Sequence, residues 1–162
     1  MMILFIGFAI GSAIYLLHAA YMDVKERMIY SFPAILLTMV WSVYLLLDGN
    51  WNGYVLSAFW ILHLIGYLIM NRLHIWGAGD SDLFLLFANL VMLQARGNNL
   101  YQTLMFECVA LVIAMVLSLV IGAVEFQVKH KKWELKGKVA VVPGCSVVMM
   151  LLLVSAFRWR WM

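Results

Sequence analysis

Long apolar runs alternate with short polar segments along the whole chain. Six runs reach or approach the roughly 20 residues that a helix needs to cross a bilayer core. They span residues 2–22, 31–47, 54–70, 82–93, 101–126 and 139–157. The fourth run is short, so it either borrows turns from its flanks or crosses only part of the bilayer inside the bundle. The pattern predicts an all-α membrane protein, a polytopic bundle of about six transmembrane helices, forming one domain over residues 1–162 without a soluble domain.

Composition supports a membrane protein. Of the 162 residues, 66% are hydrophobic and 12% are charged, whereas soluble domains average about half and a quarter. No basic segment precedes the first apolar run, which therefore reads as a retained span and not as a signal peptide. The net charge of +3 is concentrated in one loop, as a topology signal is, so it does not indicate a nucleic-acid partner.

Lys and Arg predict the orientation. In a six-span chain the loops after spans one, three and five lie on one side. Those loops carry eight basic residues and the other side carries three: Lys25, Arg27, Arg72, Lys129, Lys131, Lys132, Lys136 and Lys138, against Arg96, Arg158 and Arg160. Basic loops stay in the cytoplasm, so we expect both termini outside the plasma or inner membrane. The basic segment 127–138 would lie against anionic headgroups or dock a partner protein.

This topology brings two carboxylates to the same membrane depth. Asp23 ends the first span and Asp80 begins the fourth, 57 positions later. Two carboxylates that approach closely cannot both ionise cheaply, so one keeps a proton. Such a pair can hydrolyse a peptide bond, one aspartate polarising the carbonyl while the other deprotonates a water. Alternatively, Asp23 is the i+4 partner of Arg27, and Asp80 is the N-cap of span four.

Two glycines, Gly77 and Gly79, precede the second aspartate. Glycine allows another chain to approach the backbone closely, which would make room for an extended substrate. The alternative is a plain loop-to-helix turn. A GxG alone is a weak signal, but GxGD at a membrane-helix start with a second Asp at the same depth is fairly specific.

These residues carry a resemblance to a known family. The stretch 77–80, Gly-Ala-Gly-Asp, together with Asp23 resembles the GxGD membrane aspartic proteases, and among them the type IV prepilin peptidases. The family's first motif is an Asp, a basic stretch and Ile-Pro-Asn. Residues 23–31 keep the Asp, the basic residues and the Ile, and depart from the motif at Tyr30 and Ser31.

The later motifs match in part. The family continues its GxGD with x-Lys-Leu, and here Leu83 is kept while Asp82 replaces the Lys. If Asp82 lies close to Asp80, its carboxylate would favour the protonated form of Asp80. A Pro-Gly motif opens the family's last span, and Pro143-Gly144 stands there in a contracted form.

The resemblance implies an aspartic endopeptidase that removes a short basic leader from pilin-like precursors at the cytoplasmic membrane face. Asp23 and Asp80 would be catalytic, and five residues would bind substrate or shape loops: Gly77, Gly79, Asp82, Pro143 and Gly144. No cofactor is implied, and the partners are the precursor protein and the lipid bilayer. Larger members carry CxxC pairs and also methylate their product. This chain resembles the short, peptidase-only members of tight-adherence or Flp pilus systems, so we predict no methyl transfer.

The cysteines, histidines and serines give little indication of any other kind of catalytic or metal site. Cys108 and Cys145 form no CxxC pair and read as core residues. His18 and His63 lie within spans, where a lone His usually hydrogen-bonds between helices, and His74 precedes Asp80 in a loop. No HExxH spacing occurs, so we predict no metal site and no metalloprotease. Span serines lack a paired His, which disfavours a serine protease.

A second functional class stays open. The chain would then be a non-enzymatic small polytopic protein, serving ion- or proton-coupled transport or pilus or secretion assembly. The two aspartates would bind a cation or relay protons, with His18 or His63 assisting. The absence of an evident inverted repeat weakens a transporter interpretation.

Overall fold

The structure is a computed structural model that describes residues 2–49, 51–73, 77–130 and 140–161. These residues form helices and no strand. In chain order the helices are α1 (Met2–Glu26), α2 (Ser31–Asp48), α3 (Gly53–Arg72), α4 (Ala78–Met92), α5 (Leu100–His130) and α6 (Val142–Trp161). The predicted all-α bundle is confirmed. His74, Trp76 and much of the basic segment 127–138 lie outside the described residues.

Four of these helices are long and apolar enough to cross a membrane by length and composition. They are α1, α2, α3 and the Leu100–Val128 part of α5, while α6 contains a shorter apolar stretch, Val142–Arg158. In each of the four, less than a third of the apolar window is buried inside the protein. The outward-facing surfaces of these helices are therefore apolar and suited to contact with lipid. This confirms the polytopic membrane fold.

The short helix α4 occupies the middle of the bundle. It packs against α2, α3, α5 and α6, and every side chain from Leu86 to Leu93 is buried. Its 15 residues rise about 22 Å at 1.5 Å per residue, less than the roughly 30 Å hydrocarbon core. The fourth apolar run thus gains a turn from its N-terminal flank, is still shorter than a bilayer core, and packs against four of the other helices.

Asn89 ties α4 to two neighbours. Its amide nitrogen donates to the Thr38 carbonyl and to Ser42 Oγ of α2, both at 2.9 Å. Its amide oxygen accepts from Trp60 Nε1 of α3, also at 2.9 Å. Inside a membrane such bonds join helices because no water competes for the polar groups. The rotational position of α4, and of the residues at its N-terminus, is fixed accordingly.

Several helices extend beyond the predicted spans. Helix α4 begins at Ala78, before the run 82–93, and α6 ends at Trp161, after the run 139–157. Helix α1 continues past residue 22 to Glu26, and α5 continues past residue 126 to His130. Asp23 therefore lies within the last turns of α1, so its side-chain direction is set by the helix. The next helix begins only four residues after Arg27, at Ser31, which keeps the α1–α2 connection close to this end of the bundle.

Candidate active site

Asp23 is oriented by the start of the last helix. Its side chain is buried, with 7% of the residue exposed, and Oδ2 accepts the backbone N–H of Val142 at 3.0 Å. Val142 is the first residue of α6, and helix N-termini favour a negative charge. Pro143 follows it in the first turn, where a missing N–H breaks no helix bond.

Asp80 lies in the first turn of α4. Gly77 is the N-cap of this helix, in extended backbone conformation, and accepts the Ser81 N–H at 3.1 Å. The interpretation of Asp80 as the N-cap is therefore wrong. Asp80 is partly buried, and a helix N-terminus again lies beside a carboxylate.

Both aspartates line one cavity at this end of the bundle. The cavity has a volume of about 270 Å³ and is bounded by Asp23, Arg27, Met28, Ile29, Ser31, Gly77, Gly79 and Asp80. The two carboxylates thus come from different helices and share the lining of one space. Since one water occupies roughly 30 Å³ of liquid volume, the cavity has room for a water and for part of a peptide. Two carboxylates that share such a space have the chemistry to act as an acid–base pair.

Gly79 lets the α1–α2 connection approach the start of α4. A Cβ atom added at Gly79 would lie 2.8 Å from Ile29 Cβ and 2.9 Å from the Ile29 carbonyl oxygen. Since no side chain fits there, glycine is required for this close approach of two backbones. At Gly77 an added Cβ would lie 3.3 Å from Asp80 Oδ2, so the second glycine leaves space for the carboxylate itself.

Arg27 binds an acidic residue of another helix. Its guanidinium lies 3.1 Å from both carboxylate oxygens of Glu125, on α5. The ion-pair partner of Arg27 is therefore Glu125, and not Asp23 as in the alternative interpretation. Arg27 also adopts a left-handed backbone conformation, with φ of 55°. The sequence patterns did not single out Glu125. An acidic residue near the end of an apolar span is nevertheless a signal of a functional or paired group.

Asp82 does not line the cavity shared by Asp23 and Asp80. It is 3% exposed, and its Oδ1 accepts the Tyr67 hydroxyl of α3 at 3.0 Å. Two residues along a helix correspond to about 200° of rotation, so Asp80 and Asp82 point to different sides of α4. The third carboxylate is thus held by its own hydrogen-bond donor.

Gly144 makes a helix–helix contact. A Cβ atom there would overlap Ser118 Oγ and the Ala114 carbonyl oxygen, both on α5. Ser118 Oγ in turn lies 2.7 Å from the carbonyl oxygen of Val141, just before α6. Pro143 and Gly144 are not among the residues that bound the aspartate cavity. They set the position of Val142, and through it that of Asp23.

His63 and His18 contact side chains other than the two aspartates. His63, on α3, bonds to Glu107 Oε1 of α5 at 2.5 Å through Nε2, and to the Phe59 carbonyl at 2.8 Å through Nδ1. His18 stacks on Tyr30 with 6.2 Å between ring centroids. Cys108 and Cys145 are not in a disulfide. The described ranges hold no group of three or more His, Cys, Asp or Glu side chains suited to a metal.

Comparison with known proteins found no match. No protein-family model matches the sequence, and neither the curated proteins nor the solved structures give a match.

Proposed function

We propose that this protein is a membrane aspartic endopeptidase of the prepilin peptidase type. The observation that carries the proposal is the shared cavity of Asp23 and Asp80, two residues that come from different helices. The GxGD motif, the glycine contact at Ile29 and the hydrogen bond from α6 to Asp23 support it. Each of these features forms or orients the carboxylate pair at one end of the bundle.

The proposed reaction is hydrolysis without a covalent intermediate. A water between the carboxylates attacks the scissile carbonyl carbon and gives its proton to the ionised aspartate. The protonated aspartate donates a hydrogen bond to the carbonyl oxygen as charge develops there. The resulting tetrahedral intermediate then breaks its C–N bond, and the leaving amine takes a proton from the pair. The two groups titrate as a unit.

The proposed substrate is a pilin-like precursor with a short basic leader and a following apolar helix. We propose that the α1–α2, α3–α4 and α5–α6 connections face the cytoplasm, because eight Lys and Arg lie in these connections or at the helix ends beside them and three lie on the other side. Both termini would then be outside, in the plasma or inner membrane. The leader would stay in the cytoplasm, and the scissile bond would meet the aspartates near the membrane surface.

Replacing each aspartate tests the proposal directly. Asp23→Asn and Asp80→Asn should each abolish processing of a co-expressed prepilin, since the Asn side chain neither takes up nor donates the proton. Asp48→Asn is the matched control, because Asp48 pairs with Arg96 at the end of α2, on the other side of the predicted topology. Normal processing by either cavity variant, at equal protein level, would rule out the proposed peptidase.

One observation favours the second candidate, a proton-coupled membrane protein. The His63–Glu107 pair is buried, with 5% and 6% of the side chains exposed, and intramembrane ionisable pairs often mark proton pathways. Aspartic protease inhibitors that mimic the transition state separate the two candidates. They should block precursor processing by a peptidase, whereas a transporter should be indifferent to them.

A further inference from the structure

A second, smaller cavity lies against Asp80. Its volume is about 50 Å³, and residues of α4, α5 and the start of α6 line it. Its wall is apolar apart from the carboxylate, and includes Leu83, Phe87, Leu111, Val142 and Cys145. A water placed there would lack the two to four polar partners that ordered buried waters have. The cavity is therefore suited to an apolar group.

The small cavity and the aspartate cavity have one wall residue in common. Asp80 lines both of them. Val142 is a second residue that links the two cavities. Its N–H donates to Asp23 Oδ2, and Val142 also belongs to the apolar wall of the small cavity. A peptide bond held between the two aspartates would thus have one neighbouring side chain within reach of the apolar cavity.

We propose that this cavity receives a small aliphatic side chain from a residue that flanks the scissile bond. The inference rests on the proposed peptidase function and adds a specificity determinant to it. An aromatic ring is excluded by size, since an apolar cavity that holds benzene measures about 150 Å³. A missing or additional methylene in such a pocket changes the specificity ratio by roughly 10- to 200-fold.

Disulfide cross-linking tests the placement without needing catalysis. The protein would carry Asp80→Asn, to stop cleavage, and Cys108→Ala, to leave Cys145 as its one cysteine. Precursors with a single cysteine at successive positions around the scissile bond are bound and oxidised. We expect a cross-link to Cys145 from one flanking position, because the bond requires Cα atoms about 4.4–6.8 Å apart. Cross-linking from every position alike, or from none, overturns the proposal, and Cys145→Ala is the negative control.

Changing the cavity volume tests its role in specificity. Leu111→Ala should enlarge the cavity and raise the rate for a bulkier flanking residue at least tenfold relative to Val. Cys145→Phe should fill it and lower the rate for Val relative to Gly by a similar factor. Cys108→Phe is the matched control, since Cys108 is exposed on α5. Equal rate changes for all flanking residues overturn the specificity role.

The two proposals fail in different ways. If the wild-type protein cleaves the precursors and Asp80→Asn does not, the peptidase stands, and the cross-linking and rate ratios decide the cavity. If the wild-type protein cleaves none of them, the peptidase proposal fails and the cavity proposal fails with it.

Discussion

The backbone N–H of Val142 donates a 3.0 Å hydrogen bond to Asp23 Oδ2, although 119 residues separate the two in the chain. Through this bond the beginning of α6 orients a carboxylate that lies near the end of α1. We expect Val142→Pro, which removes the donor, to lower precursor processing by roughly 10- to 100-fold, the range of a hydrogen bond to a charged group. Val142→Ala keeps the N–H and should retain more activity. Equal rates for the two variants would show that the bond has no role.

The contact between Gly79 and Ile29 predicts a steric effect. Gly79→Ala would place a methyl group against the Ile29 backbone, so the α1–α2 connection must move away from Asp80. We expect a loss of processing and a destabilisation of about 1–3 kcal/mol. Gly11→Ala, within α1, meets no atom within 4 Å, so it should leave processing unchanged and should not destabilise the protein. Thermal unfolding in detergent and precursor processing measure the two effects, and wild-type behaviour of Gly79→Ala would contradict this account.

Gly144 should be sensitive for a different reason. An added Cβ would overlap backbone atoms of α5, so Gly144→Ala must separate α5 from α6 or shift Val142. We expect a lower unfolding temperature together with reduced processing. Adding Ser118→Ala should rescue little, because the overlap with the Ala114 carbonyl oxygen remains. Full rescue by the second substitution would show that only the hydroxyl was in contact.

Asp82 should tolerate one substitution and not another. Asp82→Asn keeps an oxygen that can accept the Tyr67 hydroxyl, so processing should fall less than about tenfold, far less than for Asp80→Asn. Asp82→Lys restores the residue that the family resemblance leads one to expect. It would bury an ammonium group beside a hydroxyl that now lacks its acceptor, and should cost about 3 kcal/mol or more. A loss for Asp82→Asn as complete as that for Asp80→Asn would mean that the catalytic pair is misassigned.

The His63–Glu107 pair predicts a coupling energy. His63→Leu leaves a buried carboxyl without its partner and should cost about 3–5 kcal/mol of stability. The double variant with Glu107→Leu should recover most of this, because no unpaired group remains. Lys25→Gln removes an exposed ion pair with Glu26 and should change little. Additive single effects in a double-mutant cycle of thermal stability would show that the two side chains do not interact.

The sequence patterns predicted the helices better than they predicted the contacts between the helices. Apolar run length predicted each helix because the bilayer imposes a length and satisfies no backbone polar group. It missed that α1 continues through Asp23, since a polar residue ends an apolar run without ending a helix. The sequence also indicated that His63 bonds between helices, but it did not supply the partner. Glu107 stands in an apolar run, and which helix faces which depends on packing that hydropathy does not encode.

The glycines illustrate the same limit. Gly79 was expected to make room for a substrate, whereas the close contact in the structure is with Ile29 of the protein's own chain. Gly144 was expected beside the site because of a Pro-Gly motif, and the structure gives it a contact with Ser118 of α5. Both roles depend on which backbones meet in three dimensions. A single sequence records the glycine but not the neighbour that requires it.

The bond from Val142 to Asp23 also has a consequence for biosynthesis. The ribosome delivers Asp23 early and its hydrogen-bond donor late, so a nascent chain that ends within α5 holds both aspartates without the group that orients one of them. The proposed peptidase would therefore reach its full activity only after α6 has been inserted and packed. A newly made molecule would pass through the insertion machinery with a much weaker protease site than the finished protein.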